Sequence, residues 1–289
     1  MNLHLRDREL DLARPAIMGI VNATPDSFSD RQGPKEPGEV AEQGLRLAAD
    51  GAAIVDVGGE SGRTDTEAVP VEVEIERVVP VIERLAAGGV LVSVDTWRGP
   101  VARAALDAGA HMINDVSGLS DESVATACAE AGAALVITHT VAPPKTKVFP
   151  HYDDVVASVR EFLGERMAAA REAGLSDEQI VLDPGIDIAK SPAESVELIR
   201  RLPELGALGR PLLLAVSRKD FIGAVTERRP AGRDAGPPAA VGAAVAGGAK
   251  IVRVHDVAGT RDFLRVRDAL ENGADAALAL APELRREAV

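Results

Sequence analysis

Eight short apolar runs recur along this chain, each opening at its C-terminal end into polar or charged residues, with helix-spaced segments between them. Ala16–Val21 sets the pattern: it has the length and branched content of a fully buried strand. It empties into Asn22, Thr24, Pro25, Asp26, Ser27, Ser29 and Asp30 around a single Phe28. A buried strand that opens into a polar loop is how a parallel α/β scaffold presents chemistry. The same event follows at Ala53–Val57, Val90–Val94, His111–Ile113, Ala134–Ile137, Ile180–Leu182, Pro211–Val216 and Lys250–Val254.

The intervening segments read as helices over Pro37–Asp50, Val71–Ala87, Pro100–Asp107, Asp121–Ala131, Asp153–Ala173, Pro192–Leu205, Ala239–Ala246 and Asp262–Glu271. Pro100 stands where a helix starts, as proline prefers. The stretch TVAPPKTKVFPHYDD is long and proline-rich and is expected to fold over one face, and Arg228–Pro238 reads as a Gly/Pro/Arg-rich connection. No break in composition marks a boundary, so residues 1–289 read as one domain. Strict alternation over this length predicts a (β/α)8 barrel, the TIM fold. An open doubly wound sheet is disfavoured because no G-x-G-x-x-G follows the first strand.

Composition narrows the partners. A net charge of −13 argues against nucleic acid and anionic membrane. It also requires any anionic substrate to be held by a local cationic cluster. Cys128 is the only cysteine, which excludes a disulfide framework and fits a reducing cytoplasm. The N-terminus lacks the apolar core of a signal peptide, and no run is long enough to span a membrane.

In a barrel of this kind the C-terminal strand ends converge on one face. Those ends are Asn22, Asp56, Asp95, Asn114 with Asp115, His139, Asp183, Lys219, and Arg253 with His255. Any one of them could be a helix cap or a satisfied core group. Eight together on one rim need a ligand, because unpaired buried charge is costly. Asp95, Asn114 and Asp183 suit a flat heterocycle with several N–H donors. Lys219, Arg253, His255 and Arg63 suit an anion such as phosphate. Asn22 and its acidic neighbours could hold Mg2+ against that anion. No zinc-ligand spacing is present, and Ser217 lacks a nucleophile elbow.

The segments NATPDSFSD, DVGGES, SVDTWR, INDVSG, LDPGI, SRKDFIG and RVHDV resemble, in order, the motifs of the dihydropteroate synthase family, and they span Pro15–Val257. That resemblance implies a TIM-barrel transferase that joins 6-hydroxymethyl-7,8-dihydropterin pyrophosphate to p-aminobenzoate and releases pyrophosphate. It implies that Asp95, Asn114, Asp183 and Lys219 hold the pterin, and that Asn22, Arg63, Arg253 and His255 hold pyrophosphate and Mg2+. Asp95, Lys219, Arg253 and His255 would carry the catalytic work. Phe28, Pro25 and two loops would build the p-aminobenzoate pocket, and a homodimer would form through the last helices.

The chain departs from the family at its amine pocket. GGESGRTD places Gly62 and Thr64 where Thr and Pro are usual, and DPGIDIAK places Asp187 and Ile188 where Gly and Phe are usual. Strand five ends ITHT, and Asp220 follows Lys219 in place of serine. VDTWR and the His-Thr end resemble a divergent second copy found in some actinobacteria. Asp187 and Asp220 are expected to bring negative charge near the carboxylate of the amine substrate. Two other readings follow from these departures: a pterin-pyrophosphate-binding paralogue with altered or lost synthase activity, and a pterin-binding methyltransferase domain. The TPDSFSD, SRK and RVH segments argue against the second, since a folate methyl donor has no pyrophosphate to hold.

Overall fold

The computed structural model describes residues 1–24, 36–61, 67–273 and 278. The first half runs β1 (Asn2–Leu5), β2 (Arg8–Asp11), β3 (Ala16–Asn22), α1 (Pro37–Ala49), β4 (Ile54–Gly58), α2 (Val71–Ala87), β5 (Val92–Asp95), α3 (Gly99–Asp107), β6 (Met112–Asp115) and α4 (Ser123–Ala131). The second half runs β7 (Ala134–Thr138), α5 (Val155–Glu172), β8 (Ile180–Asp183), α6 (Pro192–Arg200), β9 (Leu213–Ala215), α7 (Asp220–Thr226), α8 (Gly236–Ala246), β10 (Ile251–Val254) and α9 (Val257–Asn272). Parallel pairing gives an eight-stranded sheet in the order β8-β7-β6-β5-β4-β3-β10-β9. A parallel bridge between Leu182 and Leu212 joins its two ends. The expected barrel is therefore present.

Two faces of each strand do different work, because successive side chains alternate. One set, including Ile17, Val55, Val57, Val94, Ile113, Leu135, Leu182, Leu214 and Val252, packs against the surrounding helices. The other set, including Met18, Ile54, Met112, Val136, Val181, Leu213 and Ile251, forms a separate apolar cluster inside the barrel. Leu3, Leu5 and Leu12 join that inner cluster and are fully buried. They come from a feature the sequence reading left out: β1 and β2 pair as an antiparallel hairpin. The hairpin plugs the end of the barrel away from the site. It turns through Arg6 at φ 64, whose guanidinium donates to the carbonyls of Leu106 and Ala110 at 2.8 and 3.1 Å.

Local signals place the helices. Asp154 caps α5 by accepting from the amides of Val156 and Ala157, and Ser191 with Glu194 forms a capping box on α6. Three helices differ from expectation. Helix α6 ends at Arg200, with a 3-10 segment over Leu202–Leu208 after it. The last begins at Val257 because Asp256 caps it by accepting from Gly259 N–H. The stretch after Lys219 holds an additional helix, α7, of seven residues.

Candidate active site

The inward face that is apolar at the bottom of the barrel becomes polar toward the top. Two residues beyond Ile54 is Asp56, beyond Met112 is Asn114, beyond Val181 is Asp183, and beyond Ile251 is Arg253. The period of the strand thus sets these groups facing one another. Arg253 Nε donates to Asp56 Oδ2 at 2.7 Å, and Nη2 donates to Asp95 Oδ2 at 2.9 Å. Asn114 donates to the same Asp56 oxygen at 3.1 Å. One guanidinium therefore links two carboxylates across the barrel. Burial, with Asp56 beside it, pushes Asp95 up to about 7 even though Arg253 pulls it down. Arg253 has five N–H donors, so two bonds leave others for a ligand.

Asp183, at the end of β8, accepts from Gly185 N–H at 2.7 Å, and Lys219 Nζ donates to the Ile186 carbonyl at 2.9 Å. Burial pushes Asp183 above the usual carboxylate range and Lys219 below the usual amine range, while their mutual attraction opposes both shifts. His255 Nδ1 lies 3.0 Å from Ser217 Oγ. Burial, then the cations Arg218, Arg253 and Lys219, push His255 down to about 4. It is therefore neutral near pH 7 in the ligand-free protein, a group that can become cationic when an anion arrives.

That shift has a measurable consequence. The unfolded chain takes the His255 proton near 6.5, whereas the folded chain refuses it until about 4. Stability is lost as pH falls through that window. His255→Gln is expected to lose less stability between pH 7 and pH 4.5 than wild type does. Urea denaturation at both values checks this, and equal losses would remove His255 from the acid response.

A cavity of about 800 Å3 opens over these groups, bounded by Asp95, Lys219 and Arg253 below and by the β7–α5 connection above. The proline-rich loop thus lies over the active face, as expected. Lys145 ties it down: Nζ is 3.0 Å from Glu60 Oε1 and donates to the carbonyls of Ser61 and Glu67 at 3.2 Å each. Glu60 also pairs with Arg98 at 2.8 Å, and Arg98 pairs with Glu74 at 2.6 Å. Glu60 and Glu74 are almost fully buried, so this network fixes three loop bases together. Phe149 lines the cavity mouth with Ile188, and Lys147 Nζ stands 5.6 Å from the Phe149 ring.

Asp187 and Asp220 line the cavity, as expected, and each also has partners within the protein. The Asp187 carboxylate accepts from Ser195 Oγ at 2.9 Å and from the backbone N–H groups of Asp220 and Phe221. Asp220 pairs with Arg233 at 3.1 Å. The Asp187 partners are neutral donors and leave its charge in place, whereas Arg233 offsets the charge of Asp220. Two strand-end groups are excluded from the site. Asp115 accepts from the amides of Ser117 and Leu119 and shapes its own turn. His139 packs edge-on against Phe162 and is 1% exposed. Phe28, Arg63, Pro25, Gly62 and Thr64 lie outside the described residues.

Lys190 escaped the sequence reading. It is 1% exposed. Its ammonium reaches the carbonyls of Gly185 and Ile188 at 3.0 and 2.9 Å and His139 Nδ1 at 2.8 Å, which uses all three donors. Burial pushes Lys190 down to about 7, and burial together with Lys190 pushes His139 down to about 3. The pair braces the β8–α6 connection from beneath.

The polar atoms near β3 and β4 fit Mg2+ chemistry. Asn22 is half-buried, with its side-chain oxygen beside Gly58, and Asp56 Oδ1 is buried without a hydrogen-bond partner among the described residues. No cluster of three or more His, Cys, Asp or Glu among the described residues could hold a metal alone. Mg2+ commonly takes one or two protein oxygens and completes its shell with substrate phosphates and water.

Carboxylates and cations at the C-terminal strand ends, beneath a roofed cavity, define a barrel enzyme with a polar active face. The chain belongs to the pterin binding enzyme family, whose model matches residues 18–255. The dihydropteroate synthase of Mycobacterium leprae is 42% identical over 266 residues, which cover 89% of this chain and 94% of that protein. The Escherichia coli K12 dihydropteroate synthase is 39% identical over 271 residues, covering 93% and 96%. Xanthomonas albilineans dihydropteroate synthase with 4-aminobenzoic acid superposes with a TM-score of 0.87 at 46% identity, covering 94% of this chain and 99% of that one. Its complex with 7,8-dihydropteroate gives 0.85 at 45% identity over the same shares.

Proposed function

We propose that this protein is a dihydropteroate synthase, condensing 6-hydroxymethyl-7,8-dihydropterin pyrophosphate with p-aminobenzoate and releasing pyrophosphate. The observation that carries the reading is the Asp95–Arg253–Asp56 link across the barrel, set beside Lys219 on the cavity floor, with Asp183 close to both cations. The arylamine nitrogen forms a bond to the pterin methylene carbon as the carbon–oxygen bond to pyrophosphate breaks, and the nitrogen then gives up a proton.

Asp183 and Asn114 hold the N–H and carbonyl edges of the pterin, with Lys219 at its carbonyl side. Asp95 faces the positive charge that spreads over the ring as the anion departs. Arg63, His255 and the spare donors of Arg253 receive that anion, which lifts the His255 pKa toward the charged form. Asn22 would hold Mg2+ against the pyrophosphate, and the ion would supply further neutralisation of the leaving group. The amine is neutral and needs positioning, which the β7–α5 loop provides. The enzyme works in the cytoplasm, in keeping with one buried free cysteine. It works as a homodimer, in keeping with Val266 and Leu270 exposed on α9.

Purified protein with both substrates and Mg2+ is expected to form one dihydropteroate per pyrophosphate released. Pterin pyrophosphate binding without product would instead identify a non-synthetic paralogue.

The altered amine wall makes a smaller, separate prediction. Gly62 and Thr64 lie outside the described residues; on the described wall, the exchange of a ring for Ile188 is worth about 1 kcal/mol. Ile188→Phe is expected to tighten sulfonamide binding roughly fivefold, read by calorimetry with pterin pyrophosphate present. No change would show that Phe149 already serves as the aromatic wall.

A further inference from the structure

We propose that Asp187 is a positioning residue for Lys219, holding the Ser217–Lys219 segment against the β8–α6 connection so that the ammonium stays over the pterin site. The proposal rests on the reading of Lys219 as a group that contacts the pterin.

Five bonds make the case. The Asp187 carboxylate reaches Ser195 Oγ on one side, at 2.9 Å, and the backbone N–H groups of Asp220 and Phe221 on the other. Its own N–H donates to the same Ser195 Oγ at 3.1 Å. Ser195 is fully buried on α6, so the anchor is rigid. Lys219, immediately before Asp220, returns its amine to the carbonyl of Ile186, immediately before Asp187. Side chain holds backbone in both directions, and the result is a closed ring around Lys219.

Position 187 has φ 61, a left-handed backbone that favours glycine and that aspartate tolerates better than most side chains. A glycine there would relax the backbone and supply no tie. An aspartate there is justified by what its carboxylate holds. The charged and titratable groups around Lys219 are Asp187, Asp183, Asp220, Arg253, Lys190, Arg233 and the neutral His255. Asp187 is the largest of those that favour the charged amine, against burial that disfavours it.

The test uses the full chain with Mg2+ and three single variants, Asp187→Gly, Asp187→Asn and Lys219→Met, with thermal unfolding to confirm folding. Calorimetry measures pterin pyrophosphate affinity, and kcat/KM for that substrate is followed from pH 6 to pH 10. Asp187→Gly is expected to lower affinity and kcat/KM about tenfold, with kcat at saturation reduced less. In both Asp187 variants the alkaline fall of kcat/KM should begin at lower pH, because Lys219 then releases its proton more easily. Asp187→Asn keeps one acceptor oxygen and should show that pH shift with a smaller loss of affinity. Combining Asp187→Gly with Lys219→Met should add nothing to Lys219→Met alone. Unchanged affinity and an unmoved alkaline limb in both Asp187 variants, with Lys219→Met weakened, would overturn the positioning role and leave Asp187 a plain helix cap. Unchanged affinity in Lys219→Met would instead overturn the reading of Lys219, and the proposal with it.

Discussion

Arg253→Ala is expected to destabilise the protein by about 3–5 kcal/mol, well beyond its effect on any ligand. The guanidinium keeps 17% of its exposure and the Asp56 side chain keeps none, while Asp95 retains 22%. Removing the cation leaves Asp56 as a sealed carboxylate with only the Asn114 amide beside it. Asp95 can turn to solvent in the cavity, but Asp56 cannot. The cost should therefore be relieved by a second change, Asp56→Asn, which removes the stranded charge and keeps the shape. A urea-denaturation cycle over wild type, both singles and the double reads this directly. A loss under about 1 kcal/mol for Arg253→Ala would mean that the pair is solvated like a surface bridge.

Reading Arg253 as an anion ligand from sequence captures half of its situation. Its place within the apolar run Lys250–Val254 is visible, and so is the alternation that turns it inward. Its partners are not, because Asp56 and Asp95 lie 197 and 158 residues away and meet it only once the barrel closes. The polar rim as a whole was legible for the same reason that the barrel was. Period-2 strands with apolar lower halves and polar upper halves leave one arrangement for the charged ends.

What stayed hidden depends on loop conformation. Lys190 sits in DPGIDIAK with nothing in the pattern to mark it as buried; its partners are carbonyls that converge only in the folded connection. Glu60, Arg98 and Lys145 stand in quoted motifs, yet their union requires three separate loops to meet. Asp187 shows the same limit: its place on the cavity wall follows from the motif, but its second task, holding the start of α7, does not, because that helix is too short to leave a periodic trace. The N-terminal hairpin was missed because neither strand is an apolar run: β1 buries alternate residues only, and β2 is charged and almost wholly exposed.

Asp95→Asn is expected to lower kcat by about 10²–10³ while changing pterin pyrophosphate affinity less than tenfold. The substrate ring is neutral before reaction and gains positive charge only as the pyrophosphate leaves. A carboxylate beside it thus acts mainly in the transition state. Asparagine preserves the shape and one acceptor, so ground-state hydrogen bonding survives, and Arg253 keeps Asp56 as its counter-ion. The pH profile adds a second readout. With Asp95 pushed up to about 7 in the free protein, its charged fraction falls below that value. Wild-type kcat/KM should then drop about tenfold per pH unit below about 7, and the variant should lack that limb. Rapid-quench measurement of the chemical step at pH 6 and pH 8 separates the two states. A variant that keeps most of its turnover, or that keeps the acid limb, would assign the cation-stabilising role to another group.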